Sequence, residues 1–260
     1  MGKKLNSGRK EVLSWMLVSF LLALCVSGCA GGRKKEQATT PQAMYEDAMS
    51  LFQRKKYERA AQAFKKFKEE FPLSELTPMV ELRTADAYFF DKNYSEAIVL
   101  YEEFKKLHPL HPEIPYSICQ LGMCHFKQMH SLDRDQTETE KAIEQFRYLI
   151  ENFPQSPHVP EAKTKMKICQ KQLADHEFYV GNFYLRMKKY KGALDRFEGI
   201  LQKLPESGLD EKVKRLAEKC RAEIAKEEQK KKGEEAQEER KKKEREEKKK
   251  APGSKLPSLS

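Results

Sequence analysis

The sequence YERAAQAFKKFKEEFP at residues 57–72 returns at residues 94–109 as YSEAIVLYEEFKKLHP, and this repetition decides the fold. In both copies an alanine is followed four residues later by an aromatic residue, and three residues after that by phenylalanine, before a proline closes the segment. This spacing places the apolar side chains on one face of a helix, and the proline ends that helix. Because the small alanine lets a second helix approach closely, the segment predicts one half of a helical hairpin.

Two later segments carry the same pattern, ending at Pro154 and Pro205, and each of the four helices is preceded by another apolar helical stretch. The preceding stretches are marked by Met44, Ala48 and Leu51, by Leu82, Ala85 and Tyr88, by Cys119, Gly122 and Phe126, and by Gly181, Tyr184 and Met187. The arrangement resembles the tetratricopeptide repeat, which has small residues at its helix crossings and proline at its end. We therefore expect an all-α solenoid of four to five helix pairs, with a plain helical bundle as the alternative.

Two departures from regular spacing are expected within the array. The third repeat is longer because an insertion falls at about residues 128–139, and the first helix of the fourth repeat is expected from about Glu161 to Met187. Beyond Pro205, residues 209–226 predict a fifth first helix that no second helix follows. The repeat domain is accordingly expected at residues 41–225.

The segment after the repeats, residues 226–260, is expected to be a charged tail of low complexity. Residues 226–250 are nearly all lysine, arginine and glutamate, with several Glu–Lys pairs four residues apart in the order that supports a helix. Because the tail has no apolar face to bury, it predicts a solvated single helix, and a disordered tail is the alternative.

The amino terminus combines a basic start, a short apolar run and small residues before a cysteine, which are the parts of a bacterial secretory signal. The run LSWMLVSFLLALCVSGC covers residues 13–29 and resembles a lipoprotein signal. We therefore predict a signal peptide at residues 1–28, lipidation of Cys29, and a flexible linker at residues 29–40. A single transmembrane anchor is the alternative, although the run is shorter than the roughly 20 residues that cross a bilayer. By the same resemblance, Ala30 in place of aspartate favours the outer membrane.

The composition argues against nucleic-acid binding by the folded part. The formal net charge is +10, but much of the excess lies in the signal and the tail, which leaves no basic face dense enough to follow a phosphate backbone. The cysteines after Cys29 are expected to be small apolar helix residues, and the six histidines lack metal-site spacing. The sequence shows no catalytic triad, no paired carboxylates and no glycine-rich phosphate loop. We therefore expect no enzymatic activity, no cofactor and no metal.

Three stretches are more specific than the repeat class. They are HPLHPEIPYSICQLGMCHF at residues 108–126, DRDQTETEKAIEQFRYLIENFPQS at 133–156 and LADHEFYVGNFYLRMKKYKGALDRFEGILQKLP at 173–205. They resemble the BamD family, also called YfiO or ComL, of outer-membrane assembly lipoproteins. The first stretch departs from the family's pattern at Ile114-Pro115, where an acidic step is usual. The resemblance covers roughly residues 41–205 and is expected to fail beyond them, since the family's fifth repeat is not recognisable.

The resemblance implies a lipid-anchored scaffold at the periplasmic face of the outer membrane. The implied partners are the periplasmic domains of the β-barrel insertase, other assembly lipoproteins and unfolded outer-membrane proteins. A periplasmic adaptor that coordinates cell-wall synthesis or envelope constriction is the alternative function, which the basic tail leaves open.

Two sets of site residues are expected. Aligning the repeats on their alanines places apolar residues on first helices near the concave surface, where an extended client segment would lie. The expected groove consists of Tyr45, Met49, Phe52, Leu82, Phe89, Tyr116, Met123 and Phe126, with ordinary inter-helix core as the alternative. By resemblance, Arg196 lies at the insertase contact, where its planar guanidinium suits a partner carboxylate. An intramolecular pair with Glu198 or Asp195, or plain solvation, is the alternative for this arginine.

Overall fold

The computed structural model describes residues 40–250, with side chains placed through Lys248. The described residues from Met44 onward form one compact unit, and helices joined by turns account for all of it. The nine helices of the described range are α1 (Pro41–Gln53), α2 (Tyr57–Glu70), α3 (Thr77–Phe90), α4 (Tyr94–Leu107), α5 (Ile114–Lys127), α6 (Thr137–Asn152), α7 (Val159–Arg186), α8 (Tyr190–Lys203) and α9 (Asp210–Lys250).

Helices pair in chain order, and each pair brings a small buried residue of its first helix together with an aromatic ring of its second. The pairs are Ala48 with Phe64, Ala85 with Tyr101, Gly122 with Phe146 and Gly181 with Phe197. At both glycines an added Cβ would lie 2.6 Å from the facing ring, so the helices approach closely only because no side chain intervenes. Packing runs almost entirely between consecutive helices, as in a solenoid. The predicted tetratricopeptide array is therefore confirmed.

The turns inside the first, second and fourth repeats have one geometry, with a lysine in the left-handed region. Lys55, Lys92 and Lys188 have φ of 59°, 64° and 58°. In the second repeat the backbone N–H of Lys92 donates to the carbonyl of Phe89, and that of Asn93 donates to the carbonyl of Tyr88. These two bonds form a Schellman motif, which ends the first helix and starts its antiparallel partner within three residues.

The third repeat replaces this short turn with a longer one at residues 128–136, so the insertion ends slightly earlier than the sequence predicted. The buried Gln136 side chain donates to the carbonyls of Ser131 and Arg134, which folds the segment onto itself. The side chain of Gln172 on α7 then donates to the carbonyl of His130. The insertion is thus a structured turn fastened to the next repeat.

The first helix of the fourth repeat and the helix that follows that repeat are longer than the others. Helix α7 has 28 residues and matches the extended first helix predicted for the fourth repeat. Helix α9 packs Val213, Ala217 and Cys220 against α8 and then continues as one helix through residue 250. Every described side chain from Lys226 onward is exposed, as expected for a helix without an apolar face.

Candidate functional site

Two of the eight residues expected in the client groove lie in the core. Leu82 is fully buried, with an exposed fraction of 0%, and Met123 retains only 9%. Both belong to the buried cluster shared by the second and third repeats. The cause is that α3 and α5 each have helices packed on both sides. The expectation that Leu82 and Met123 line a surface is therefore wrong, and the inter-helix alternative holds for them.

The other six expected groove residues are half-buried and keep part of their surface in solvent. They are Tyr45, Met49 and Phe52 on α1, Phe89 on α3, and Tyr116 and Phe126 on α5. Each packs against one of the two buried clusters of the first three repeats. Their position is compatible with a partly exposed apolar surface on first helices.

A chain of aromatic rings joins two of these six residues at the end of the helices where the turns within repeats lie. The Phe52 ring lies 5.4 Å from that of Tyr57 and 5.7 Å from that of Phe90, which in turn lies 5.4 Å from Phe89. Phe89 continues the chain to Tyr94, with 5.6 Å between ring centroids. We call Phe52, Tyr57, Phe89, Phe90 and Tyr94 the aromatic edge. Sequence reasoning missed Tyr57, Phe90 and Tyr94, although Tyr57 and Tyr94 occupy the same repeat position.

The phenol of Tyr116 belongs to a buried polar cluster and is not available to a client. Its hydroxyl donates to Asp86 at 2.9 Å, and the hydroxyl of Tyr101 donates to the same carboxylate oxygen at 2.6 Å. Arg83 pairs with the other oxygen of Asp86. Burial raises the pKa of Asp86 above its ordinary value, while the phenols and Arg83 act in the opposite direction. The cluster joins α3, α4 and α5, so its role is to hold the second and third repeats together.

Arg196 pairs with Glu177, a carboxylate that the sequence did not suggest. One terminal nitrogen of Arg196 lies 3.1 Å and 3.0 Å from the two Glu177 oxygens. The expected alternative partner Glu198 instead accepts from Arg221 of α9 at 2.7 Å. The Arg196 side chain is 43% exposed and that of Glu177 is 22% exposed. An ion pair this exposed contributes at most about 1 kcal/mol, so a partner carboxylate can replace Glu177 at little cost.

The Arg196–Glu177 pair lies in a cleft of about 410 Å³ between α7 and α8. Glycine and apolar residues form part of its wall, and charged residues of both signs surround them. The lining includes Glu140, Leu173, Tyr184, Asp195, Gly199 and Lys203. A mixed wall of this kind suits a protein surface with both apolar and charged side chains.

The remaining sequence predictions concern the anchor and metal binding. Cys29 and the signal peptide lie outside the described residues. Within residues 40–250, no helix has the length and apolarity needed to cross a membrane, and no group of three or more metal-ligating side chains comes together. Burial raises the pKa of the thiols of Cys119, Cys124 and Cys169 to about 12, so they stay protonated and unreactive at neutral pH.

Comparison with known proteins adds a family. The model of the YfiO family, described as outer membrane lipoprotein, matches residues 37–241. The match continues into α9, well past residue 205, where the resemblance was expected to fail. The expectation of an earlier end is wrong because α9 supplies the first helix of a fifth repeat.

Two curated relatives of this chain carry the same name. The outer membrane protein assembly factor BamD of Rickettsia prowazekii is 29% identical over 192 residues, which cover 74% of this chain and 75% of the relative. The BamD of Caulobacter vibrioides is 27% identical over 191 residues, covering 72% of this chain and 63% of the relative. Among solved structures, a tetratricopeptide repeat protein from Parabacteroides merdae is 16% identical, with a TM-score of 0.37 over 70% of this chain and 60% of its own.

Proposed function

Because this chain belongs to the YfiO family of outer membrane lipoproteins, we propose that it is a non-enzymatic factor in outer-membrane protein assembly. The observation that carries the proposal is the family match, which spans the whole repeat array. The relatives named above are outer membrane protein assembly factors. The alternative of a cell-wall adaptor is not favoured, because the relatives that match are named assembly factors. A scaffold needs surfaces for partners, and the described residues offer two.

The proposed anchor is the lipid on Cys29, which would hold the chain at the periplasmic face of the outer membrane. The support comes from the sequence, where the cysteine follows an apolar run too short to span a bilayer. The family description as lipoprotein agrees with this assignment. Two or more acyl chains give stable membrane attachment, whereas one chain gives only marginal binding.

The proposed client surface is the aromatic edge together with the half-buried Tyr45, Met49 and Phe126. Rings of this kind offer apolar contact area with few rotatable bonds, so they bind extended apolar segments at a small cost in side-chain entropy. Phe90 supports the proposal most directly, because its side chain is 46% exposed although it contacts three other rings. An apolar ring left exposed beside other rings is a typical recognition element for a protein partner.

The proposed insertase contact is Arg196. The support is its exposed position in a cleft and its ion pair with Glu177, which a partner carboxylate can replace. Because the ion pair already restricts the Arg196 side chain, less side-chain entropy is lost when a partner binds.

Affinity purification of the full-length lipoprotein from detergent-solubilised outer membranes tests the function as a whole. We expect the β-barrel insertase and other assembly lipoproteins to co-purify. Recovery of cell-wall synthesis enzymes without the insertase would overturn the proposal in favour of the adaptor.

Photo-crosslinking in cells tests the client surface separately. A photoreactive phenylalanine analogue at Phe90 should capture outer-membrane proteins before their insertion. The matched control is the same analogue at Tyr148, which is 45% exposed on α6 and lies away from the aromatic edge. Equal capture at both positions would remove the aromatic edge from the proposal.

A further inference from the structure

Two leucines stand almost entirely in solvent at equivalent turns. Leu73, between α2 and α3, and Leu110, between α4 and α5, are both 97% exposed. Each follows the proline that closes a repeat. Side chains with this exposure contribute nothing to the packing of the fold. A single exposed leucine is ordinary on a protein surface, but two at equivalent turns form a repeated apolar feature that is available to a partner.

The two turns have the same geometry and lie at the same edge of the repeats. Ser74 and His111, which follow the leucines, donate their backbone N–H groups to the carbonyls of Phe71 and His108, three residues earlier. The carboxylate of Glu81 on α3 pairs with Lys68 at the end of α2 and with His108 at the end of α4. One side chain therefore ties the carboxyl ends of α2 and α4 together, and the leucines follow those ends directly.

The third repeat has the same turn without the leucine. Ser156 donates its backbone N–H to the carbonyl of Phe153, and the residue between Pro154 and Ser156 is Gln155. Among the described turns between repeats, only the first two hold an almost fully exposed leucine. These are the turns nearest in the chain to the predicted lipid anchor.

The start of the repeat domain lies at this edge as well. Tyr45 of α1 packs against Phe64 of α2, and Phe52 packs against Tyr57, so α1 runs antiparallel to α2. Met44 and Tyr45, near the start of α1, therefore lie beside the second half of α2, whose carboxyl end Leu73 follows. Residues 30–40 separate α1 from Cys29, and at about 3.5 Å per residue they reach at most about 39 Å.

We propose that this edge rests on the outer membrane, with Leu73 and Leu110 inserted among the lipids. The proposal relies on the lipid anchor at Cys29, which keeps the edge within the reach of a short linker. Two leucines alone would bind a bilayer weakly, but the tether makes their contact intramolecular. They set the orientation of a protein that the acyl chains already hold.

The test uses the full-length lipidated protein reconstituted in vesicles of phosphatidylethanolamine and phosphatidylglycerol. Leu73→Cys, Leu110→Cys and, as the matched control, Gln155→Cys each receive a polarity-sensitive maleimide fluorophore. The thiols of Cys119, Cys124, Cys169 and Cys220 are buried, so labelling is confined to the introduced cysteine. We expect blue-shifted emission and quenching by lipid-borne quenchers at positions 73 and 110, and aqueous emission at position 155.

Flotation of the same vesicles separates this inference from the function proposed above. Protein that floats while labels at 73 and 110 remain as aqueous as the label at 155 overturns the lipid contact and leaves the anchor intact. Protein that does not float overturns both the anchor and the contact. A blue shift that requires added insertase would assign the leucines to a protein interface and would also overturn the proposal. Circular dichroism of each variant should match wild type, because neither leucine supports the fold.

Discussion

Replacement of Gly122 by alanine should destabilise the protein, although alanine is the better helix former. Gly122 lies within α5, where alanine gains about 1 kcal/mol over glycine from helix propensity. Its added Cβ, however, would lie 2.6 Å and 2.8 Å from two carbons of the Phe146 ring. The ring is fully buried, so it cannot move into solvent to make room. Overpacking of this kind costs about 1–3 kcal/mol.

The net expectation for Gly122→Ala is a loss of about 1 kcal/mol, and Gly199→Ala provides the matched control. Gly199 lies within α8, and apart from its neighbours and the backbone of its own helix no atom lies within 4 Å of its added Cβ, so the same chemical change there should stabilise the protein by about 1 kcal/mol. The two variants should therefore differ by about 2 kcal/mol. In a protein that carries Phe146→Leu and so lacks the ring, Gly122→Ala should lower the stability by less than it does in wild type.

Urea denaturation of the mature chain, followed by circular dichroism at the helix minimum, measures these differences. The midpoint of Gly122→Ala should fall below that of wild type and the midpoint of Gly199→Ala should rise, with unchanged slopes. Equal or increased stability for Gly122→Ala would show that α5 and α6 do not approach as closely as 2.6 Å implies. The assignment of Gly122 as a helix-crossing residue would then fail.

Three further predictions concern the buried cluster, the turns and the insertase contact. Tyr116→Phe should cost about 1–2 kcal/mol in a urea titration because Asp86 loses a buried donor. The raised pKa of Asp86 means that the folded state holds its proton to a higher pH than the unfolded state does, so wild type should lose stability as pH rises above about 3.9 and Asp86→Asn should flatten that loss. Identical pH profiles for wild type and Asp86→Asn would contradict this. Lys92→Gly should raise the urea midpoint by the equivalent of about 0.5–1 kcal/mol because glycine accepts the left-handed conformation, whereas Lys106→Gly within α4 should lower it by about 1 kcal/mol. Arg196→Glu should weaken co-purification with the proposed insertase partner. Adding Glu177→Arg should restore the internal ion pair without restoring the partner contact, so recovered binding in the double variant would show that Arg196 serves only α7 and α8.

Helix pairing was predictable from sequence because it depends on residues a few positions apart. Alanine and an aromatic ring four residues later mark the second helix of each repeat, and Gly122 and Gly181 mark the crossings that need most room. Such local patterns report the face on which a helix packs.

The exposure of each predicted groove residue depends on which helices pack beside its own helix. Local sequence patterns do not show which helices those are. Tyr45 and Leu82 occupy the same position of successive repeats, three residues before the crossing alanine. Tyr45 is half exposed on α1, whereas Leu82 is fully buried because α3 is flanked by α2 and α4. Met49 and Asp86 form a second such pair, in which the internal repeat buries a carboxylate among two phenols and an arginine. No apolar periodicity predicts a buried aspartate, since its partners come from three helices.

The aromatic edge and the two exposed leucines of the first repeats lie at opposite ends of the same helices. The aromatic edge follows the turns within repeats, and Leu73 and Leu110 follow the turns between them. Helix α3 has 14 residues, which at about 1.5 Å per residue separates these ends by about 21 Å. A client bound at the aromatic edge therefore does not compete with lipid for the leucines. If the leucines face the membrane, the rings face away from it, and a client bound by the rings lies on the side of the first two repeats opposite the membrane.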